Sequence, residues 1–425
     1  MKDLLDILVL GDGSREAAIV WKLRQSRRVS RIHCAPRPYF GATHAVGLDP
    51  FDFAEVANYV AVNGIDLVIP GNENIIAAGI ADFLEPLGVK VIAPSRQCAA
   101  LESSKEYAKE FMSRHAIPTA RFMTVTTDWL DEGMNFLDSL KPPYVLKADG
   151  LAHGKGVILC HSLADAKDTL SDMLEGLFGE ASSTVIIEEF IAGRECSVFL
   201  AVDGEDYIFL PTARDYKQLR DNNDAPNTAG MGAVSPVPYA GQEFLEKVEK
   251  RIVIPTLRGL KEEGLDYRGF LFLGVMELEG EPLLIEYNVR LGDPEAEVVL
   301  PRMESDFVDL LEGIADRTLA VKRIVESDLA CAAVVACAEG YPGPARTGDE
   351  ITGLASIKDD CLIFPGAMKR DDEGRYITSG GRVITLASLA ADIPEALTRV
   401  YECVDRISFQ GKYVRADIGS GINNI

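Results

Sequence analysis

The stretch Leu283-Leu284-Ile285-Glu286-Tyr287-Asn288-Val289-Arg290-Leu291-Gly292-Asp293-Pro294-Glu295 begins as a buried apolar strand and turns polar within a few residues. Side chains alternate across a strand, so Glu286, Asn288 and Arg290 are expected on one face. Carboxylate and amide oxygens suit Mg²⁺, which takes one or two protein oxygens and completes its shell with waters and substrate phosphates. The Arg290 guanidinium, just beyond, offers a planar fork of donors to a second anion. A solvated strand end would carry the same three residues. The stretch therefore shows where to look for phosphate.

Upstream, Tyr144-Val145-Leu146-Lys147 reads as a strand ending in a lysine. A glycine-rich loop follows it and returns into Val157-Ile158-Leu159. No GK[ST] opens a helix there, so this is not a Walker loop. A hairpin with Gly154 and Gly156 at its tip can instead lie as a flap over a triphosphate. An ordinary flexible hairpin is the alternative, and Lys147 at its base favours phosphate.

Val185-Ile186-Ile187-Glu188-Glu189-Phe190-Ile191 reads as a strand emerging into Ala192-Gly193-Arg194-Glu195. Backbone groups of such an edge can recognise adenine, with Glu195 accepting from ribose hydroxyls. Glu188 and Glu189 fit a solvated strand end equally well. The polar segment from Arg214 to Gly232 is too long for an inert connection. On the strand Gly269 to Glu277, either Glu277 or Met276 faces the site.

At the N-terminus, the strand Asp6 to Leu10 runs through Gly11-Asp12-Gly13-Ser14-Arg15-Glu16 into a helix. That order offers backbone N–H groups and a helix N-terminus to a phosphate. Glu16 stands where a dinucleotide fingerprint has its third glycine, and no acidic residue follows Arg31-Ile32-His33-Cys34-Ala35. A phosphate-bearing substrate fits better than NAD, and a plain strand-to-helix turn remains open.

Strands at Asp66 to Pro70 and Val89 to Ala93, with helical patterns between, imply a parallel sheet. A helix from Leu101 to His115 carries Lys105 and Lys109. Beyond Leu319 come strands Ala330 to Val335 and Cys361 to Phe364, then a helix from Ile393 to Ile407. The fold class read from this order is α/β and α+β multidomain, with units 1–104, 105–320 and 321–425. The length of 425 residues suits several domains.

Composition excludes some partners. The net charge of −23 argues against a general nucleic-acid or anionic-membrane surface, so a polyanionic ligand must meet a locally basic pocket. No apolar run is long enough to span a bilayer. The eight cysteines are scattered without a CxxC pair and read as reduced core residues of a cytoplasmic protein.

Taken together, the Lys147 strand, the Gly154-Lys155-Gly156 flap, the Glu188-Glu189-Phe190-Ile191 exit and Ile285-Glu286-Tyr287-Asn288 resemble an ATP-grasp enzyme. Within that superfamily the chain resembles the glycinamide ribonucleotide synthetase (phosphoribosylamine–glycine ligase) family. The matching motifs are Gly13-Ser14-Arg15-Glu16, Lys147-Ala148-Asp149-Gly150, Pro226-Asn227-Thr228-Ala229-Gly230-Met231-Gly232 and Asn288 to Glu295. Ser379-Gly380-Gly381-Arg382-Val383 and Asp417-Ile418-Gly419 extend them to the C-terminus.

The resemblance implies an ATP-grasp architecture and ATP-dependent joining of glycine to 5-phosphoribosylamine through an acyl phosphate. It implies ATP contacts at Lys105 and Lys147, and an adenosine site of Glu188, Glu189, Ile191 and Glu195. Glu286 and Asn288 would hold Mg²⁺ or Mn²⁺, and Arg290 would neutralise the acyl phosphate. Asp293 and the loop Gly13, Ser14 and Arg15 would hold phosphoribosylamine, and Asp215 the glycine amino group or the sugar amine. The partners expected are these small molecules alone, with a monomer or at most a dimer.

Four positions depart from the family pattern: Ala17 for histidine, Ser14 for glycine, Gln218 for arginine and Ala229 for glycine. They bear on the phosphoribosyl contacts. Two other readings stay open, an ATP-grasp enzyme with a different acid or amine and a silent binding protein on the same fold. The intact Lys147, Glu286, Asn288 and Arg290 speak against the silent one.

Overall fold

Apolar runs buried on both faces pair as parallel strands, and the first sheet follows from that rule. The computed structural model describes residues 4–37, 44–150, 156–220, 227–357 and 360–422. Leu5–Leu10, buried along its whole length, lies at the centre of that sheet. Val29–Ala35 and His44–Ala45 flank it on one side, Leu67–Pro70 and Lys90–Val91 on the other, all parallel. The helix Ser14–Leu23 starts directly at the end of the central strand. The strand expected over Val89 to Ala93 shortens to Lys90–Val91 at the sheet edge, although Ile92 still donates to the Val68 carbonyl at 2.9 Å.

The helix expected from Leu101 to His115 is two helices, Arg96–Ser103 and Lys105–Arg114. Ser104 separates them in an extended conformation, and its hydroxyl accepts the Tyr107 N–H at 3.0 Å. Serine is a good N-cap because its oxygen satisfies an N–H that the helix cannot. The break places Lys105 at the first position of a new helix.

Two antiparallel sheets follow. One orders its strands as Phe122–Val125, Val185–Glu189, Tyr144–Ala148 and Val157–Cys160, over a small core of its own that includes Leu137, Leu146, Leu170 and Ile187. The other orders Tyr207–Phe209, Arg194–Asp203, Arg268–Leu278 and Glu281–Asn288. Its last two strands turn through Glu279 (φ 51°) and Gly280 (φ 81°), the positive pair that matches the twist of a hairpin.

The C-terminal sheet is not built from the C-terminal third alone. Arg214–Asp215 and Gly232–Ser235 join Ala330–Cys337, Arg382–Ala390 and Leu362–Pro365 in one sheet. The helix Ile393–Arg406 covers it with Ile393, Ala396, Val400, Cys403 and Val404, the three-and-four spacing of a single apolar stripe. The polar segment between the two middle strands is thereby anchored at both ends. Its residues 221–226 lie outside the described part.

Candidate active site

Strict alternation from Leu284 would turn Glu286 to the same face as that core leucine. A β-bulge prevents this: Val275 pairs with Leu284 and Gly274 with Glu286, leaving Ile285 as the extra residue. Leu284 and Tyr287 both reach the core, and Glu286 and Asn288 take the opposite face. Burying Leu284 alone is worth about 1.5–3 kcal/mol, which holds the bulge in register. The Tyr287 hydroxyl meets Thr256 Oγ1 at 2.7 Å from the core side. Opposite Glu286, a Cβ on Gly274 would lie 3.0 Å from Glu286 Cγ, so glycine leaves the carboxylate its room.

Arg290 lies beyond the end of the strand. The strand ends at Asn288, because the Glu102 carboxylate takes the Val289 N–H at 2.7 Å in place of a ladder partner. The Arg290 guanidinium then turns to Glu102 at 2.7 Å and Glu73 at 3.4 Å. It remains close enough to act on Glu286.

Around Glu286 the charge is concentrated. Burial would raise its carboxyl, yet Lys217, Lys147, Lys105 and Arg290 outweigh burial and push it down to about 2. Glu286 is therefore ionised at neutral pH. Lys217 Nζ lies 3.4 Å from Glu286 and in contact with Glu195. Lys105 donates to the Gly150 carbonyl at 3.1 Å, where the flap leaves its strand. Asp149 fixes that junction by accepting the Glu106 N–H at 2.7 Å and the Ser104 hydroxyl at 3.1 Å. Cations gathered around one carboxylate are arranged for an anion with several charges.

Lys147 is buried, with Nζ 2.7 Å from Glu188, whose other oxygen meets Lys109 at 3.0 Å. Burial opposes the Glu188 charge, but the two lysines win and lower its pKa. The stability this gives is present above the unfolded carboxyl value and is lost as pH falls through the depressed folded one. Glu188→Gln leaves two buried lysines without a counter-charge and is expected to cost about 3–5 kcal/mol in denaturant unfolding at neutral pH. It should also flatten the loss of stability below about pH 4.

The hairpin base is closed by the Ala148 N–H on the Gly156 carbonyl at 2.8 Å. Gly154 and the rest of 151–155 lie outside the described residues. Glu189 and Ile191 are half-buried where the Val185–Glu189 strand ends. Glu277 does not join the site: Arg194 holds it at 2.6 Å and the Gly280 N–H at 2.6 Å.

Asp215 is buried and its Oδ1 has no hydrogen-bond partner. Burial first, then the neighbouring Glu295, drives its pKa well above the usual carboxylate range. Asp215 comes close to Gly230 (φ 112°), where a Cβ would strike Pro294 Cδ at 2.3 Å and Asp215 Oδ1 at 2.8 Å. Only glycine lets this segment lie across Asp293 and Pro294.

In the first loop, Glu16 fills the glycine cradle. Its carboxylate accepts the Gly13 N–H at 2.8 Å, and a Cβ on Gly11 or Gly71 would meet it at 2.7 or 2.1 Å. An anion of the chain itself thus occupies the place a dinucleotide pyrophosphate would need. Ser14 donates to the Phe364 carbonyl at 3.2 Å, and Arg15 to the Leu291 carbonyl at 3.1 Å and Glu73 at 3.3 Å. Both side chains tie the first sheet to the rest of the chain. On the outer side of the loop a cavity of about 500 Å³ is lined by Gly11, Asp12, Pro36, Leu48 and Asn72. Asp293 is gripped by Arg382 at 3.0 Å, and Arg382 also donates to the carbonyls of Asp293 at 2.8 Å and Ala229 at 2.7 Å.

Three consecutive stretches of the chain match phosphoribosylglycinamide synthetase: its N domain at 5–102, its ATP-grasp (A) domain at 103–296 and its C domain at 331–421. The chain belongs to the phosphoribosylglycinamide synthetase family. It is 37% identical over 420 residues to the phosphoribosylamine–glycine ligase of Caldanaerobacter subterraneus subsp. tengcongensis, covering 98% of this chain and 100% of that protein. The Salmonella typhimurium ligase is 38% identical over 98% of both chains. The crystal structure of the Thermotoga maritima phosphoribosylamine–glycine ligase superposes with a TM-score of 0.81 at 34% identity, over 97% of this chain and 100% of that one. The biotin carboxylase domain of Hydrogenobacter thermophilus 2-oxoglutarate carboxylase, at 17% identity and a TM-score of 0.70 over 97% and 92%, shares the fold.

Phosphoribosylglycinamide synthetases use ATP and a divalent metal. Among the described residues no group of three or more His, Cys, Asp or Glu could hold a metal by itself. Glu286 and Asn288 fit a cation that keeps waters and phosphate oxygens in its shell. The Asn288 Nδ2 is buried without a partner, and a half-turn of the amide presents its oxygen instead.

Sequence reasoning missed Lys217, which faces Glu286, and Arg382, which holds Asp293. Lys217 was visible only as the neighbour of Asp215 but for one residue, and Arg382 only as part of a glycine-rich motif. Of the departures from the phosphoribosylglycinamide synthetase pattern, Ala17 is buried in the core of the first helix. Gln218 uses its backbone carbonyl to accept from Arg415 at 3.0 Å, whatever its side chain.

Proposed function

We propose that the chain joins glycine to 5-phosphoribosylamine with cleavage of ATP, giving glycinamide ribonucleotide, ADP and phosphate in purine biosynthesis. The observation that carries this reading is the cluster of Lys105, Lys147, Lys217 and Arg290 around an ionised Glu286. On a chain of net charge −23 such a cluster is a local exception built for a polyphosphate.

The triphosphate lies along Lys105 and Lys147 under the flap that carries Gly154 and Gly156. The adenosine occupies the exit lined by Glu188, Glu189, Ile191 and Glu195, where Glu188 acts through Lys147. Glu286 and Asn288 hold Mg²⁺ or Mn²⁺, which when bound neutralises phosphate oxygens. A glycine carboxylate oxygen attacks the γ-phosphorus and ADP departs. The sugar amine then attacks the glycyl carbonyl carbon, phosphate leaves, and the amine gives up a proton. Arg290 neutralises the acyl phosphate and Asp215 receives an amine. The Gly13 to Arg15 loop, through the backbone N–H groups of Ser14 and Arg15 at the helix start, and Asp293 hold the phosphoribosylamine. No enzyme nucleophile is required, so the protein supplies orientation, charge and exclusion of water.

We assign unit 1–104 to the substrate phosphate and unit 105–320 to ATP, with 321–425 as a small C-terminal α+β domain. Eight buried cysteines outside any disulfide support a reducing, cytoplasmic setting. The test is ADP release with ATP and metal, omitting glycine and freshly made phosphoribosylamine in turn. Full release is expected only with both. Release driven by another acid or amine, with none from this pair, would overturn the assignment.

A further inference from the structure

Glu297 is fully buried in the short helix Ala296–Val299, and neither of its carboxyl oxygens has a hydrogen-bond partner. The Asp293 carboxyl, four residues earlier in the chain, is the charged group that acts on it most strongly. Two ionised carboxylates are acceptors only, so this contact becomes a hydrogen bond when one of them carries a proton. Arg382 decides which, since its guanidinium sits 3.0 Å from Asp293 Oδ2. That ion pair belongs to Asp293, and among the described residues Glu297 makes none.

The packed elements bring little else. The Gly232–Ser235 strand has no titratable group, and the Ala330–Cys337 strand offers Cys331, whose thiol points to the Glu297 backbone carbonyl at 3.9 Å. From the Ser14–Leu23 helix, Arg15 and Glu16 act on Asp293, and Lys22 is committed to the Met303 carbonyl.

We propose that Glu297 is held as the neutral carboxylic acid and donates its proton to Asp293, as a positioning residue for phosphoribosylamine. With Arg382 on one side and Glu297 on the other, the Asp293 carboxylate is locked in one orientation. Its Oδ2 lies 3.3 Å from the Cβ position of Gly13, on the first loop. Burial and the charge of Asp293 act in the same direction, pushing the Glu297 carboxyl well above the usual range. The positioning role rests on Asp293 as a phosphoribosylamine contact, whereas the proton on Glu297 does not.

The test measures both separately. A group protonated when folded and ionised when unfolded makes the folded state lose ground as pH rises, by about tenfold in the folding constant per pH unit. Glu297→Gln keeps a donor and cannot titrate. Between about pH 6 and pH 8 the wild type is expected to lose stability relative to Glu297→Gln at that slope. A constant gap means Glu297 is ionised and overturns the proposal. In kinetics, Glu297→Met should raise KM for phosphoribosylamine about tenfold or more, with ATP and glycine unaffected, and Glu297→Gln should restore it to within about threefold. Equal damage in both variants also overturns it. If Asp293→Asn leaves that KM unchanged, the Asp293 contact is wrong, and the pH dependence of stability still judges Glu297.

Discussion

Glu286→Gln is expected to lower metal-dependent turnover by about 10²-fold or more, the scale of one preorganised electrostatic contact. Glutamine keeps the shape beside Gly274 and removes a charge on which Lys217, Lys147, Lys105 and Arg290 all act. Metal affinity should fall, because an amide oxygen is a weaker ligand than a carboxylate. Metal-free ATP should bind at least as well, since the cations lose an internal competitor. These opposite signs separate a ligand from a merely structural acid. The wild-type acid limb should not report Glu286, whose carboxyl at about 2 is ionised well below any working pH. Initial rates over a magnesium titration decide the matter: if the variant matches the wild type at limiting metal, Glu286 is not a ligand.

The parts of this site that were legible in the sequence are those set by neighbours along the chain. Lys147 ends a strand beside a glycine loop, and the Glu286 and Asn288 pair follows a buried run. Both signals are local. The bulge at Ile285 was not legible, because it depends on the register against Val275 and Gly274 across the hairpin. The capture of the Val289 N–H by Glu102, which ends the strand before Arg290, was equally hidden.

Long-range partners were the other blind spot. Glu188 read equally well as a solvated strand end, and burial between Lys147 and Lys109 makes it a structural counter-ion. The sheet that joins Arg214–Asp215 and Gly232–Ser235 to Ala330–Cys337 brings the middle of the chain to its end, and no periodicity announces it. Four strands of that kind of pairing decide where Asp215, Asp293 and Arg382 meet.

Arg382→Met should reduce kcat/KM for phosphoribosylamine by about 10²-fold, because breaking a largely buried ion pair costs about 3–5 kcal/mol and part of that reaches the substrate. The side chain makes three contacts, to the Asp293 carboxylate and to the carbonyls of Asp293 and Ala229. It thereby holds the Gly230 segment against Asp293, beside the first loop. Losing it frees Asp293 next to Glu297 and loosens the segment that ends at Asp215. Arg382 is not among the cations that face Glu286, so KM for ATP should move little. The slower ADP release with glycine alone should be unchanged, since forming the acyl phosphate does not involve the sugar amine. Arg382→Lys is expected to fall between wild type and methionine, because an ammonium keeps the charge but cannot bridge a carboxylate and two carbonyls as the planar fork does. A parallel rise in KM for all three substrates would instead mark Arg382 as a general strut of the fold.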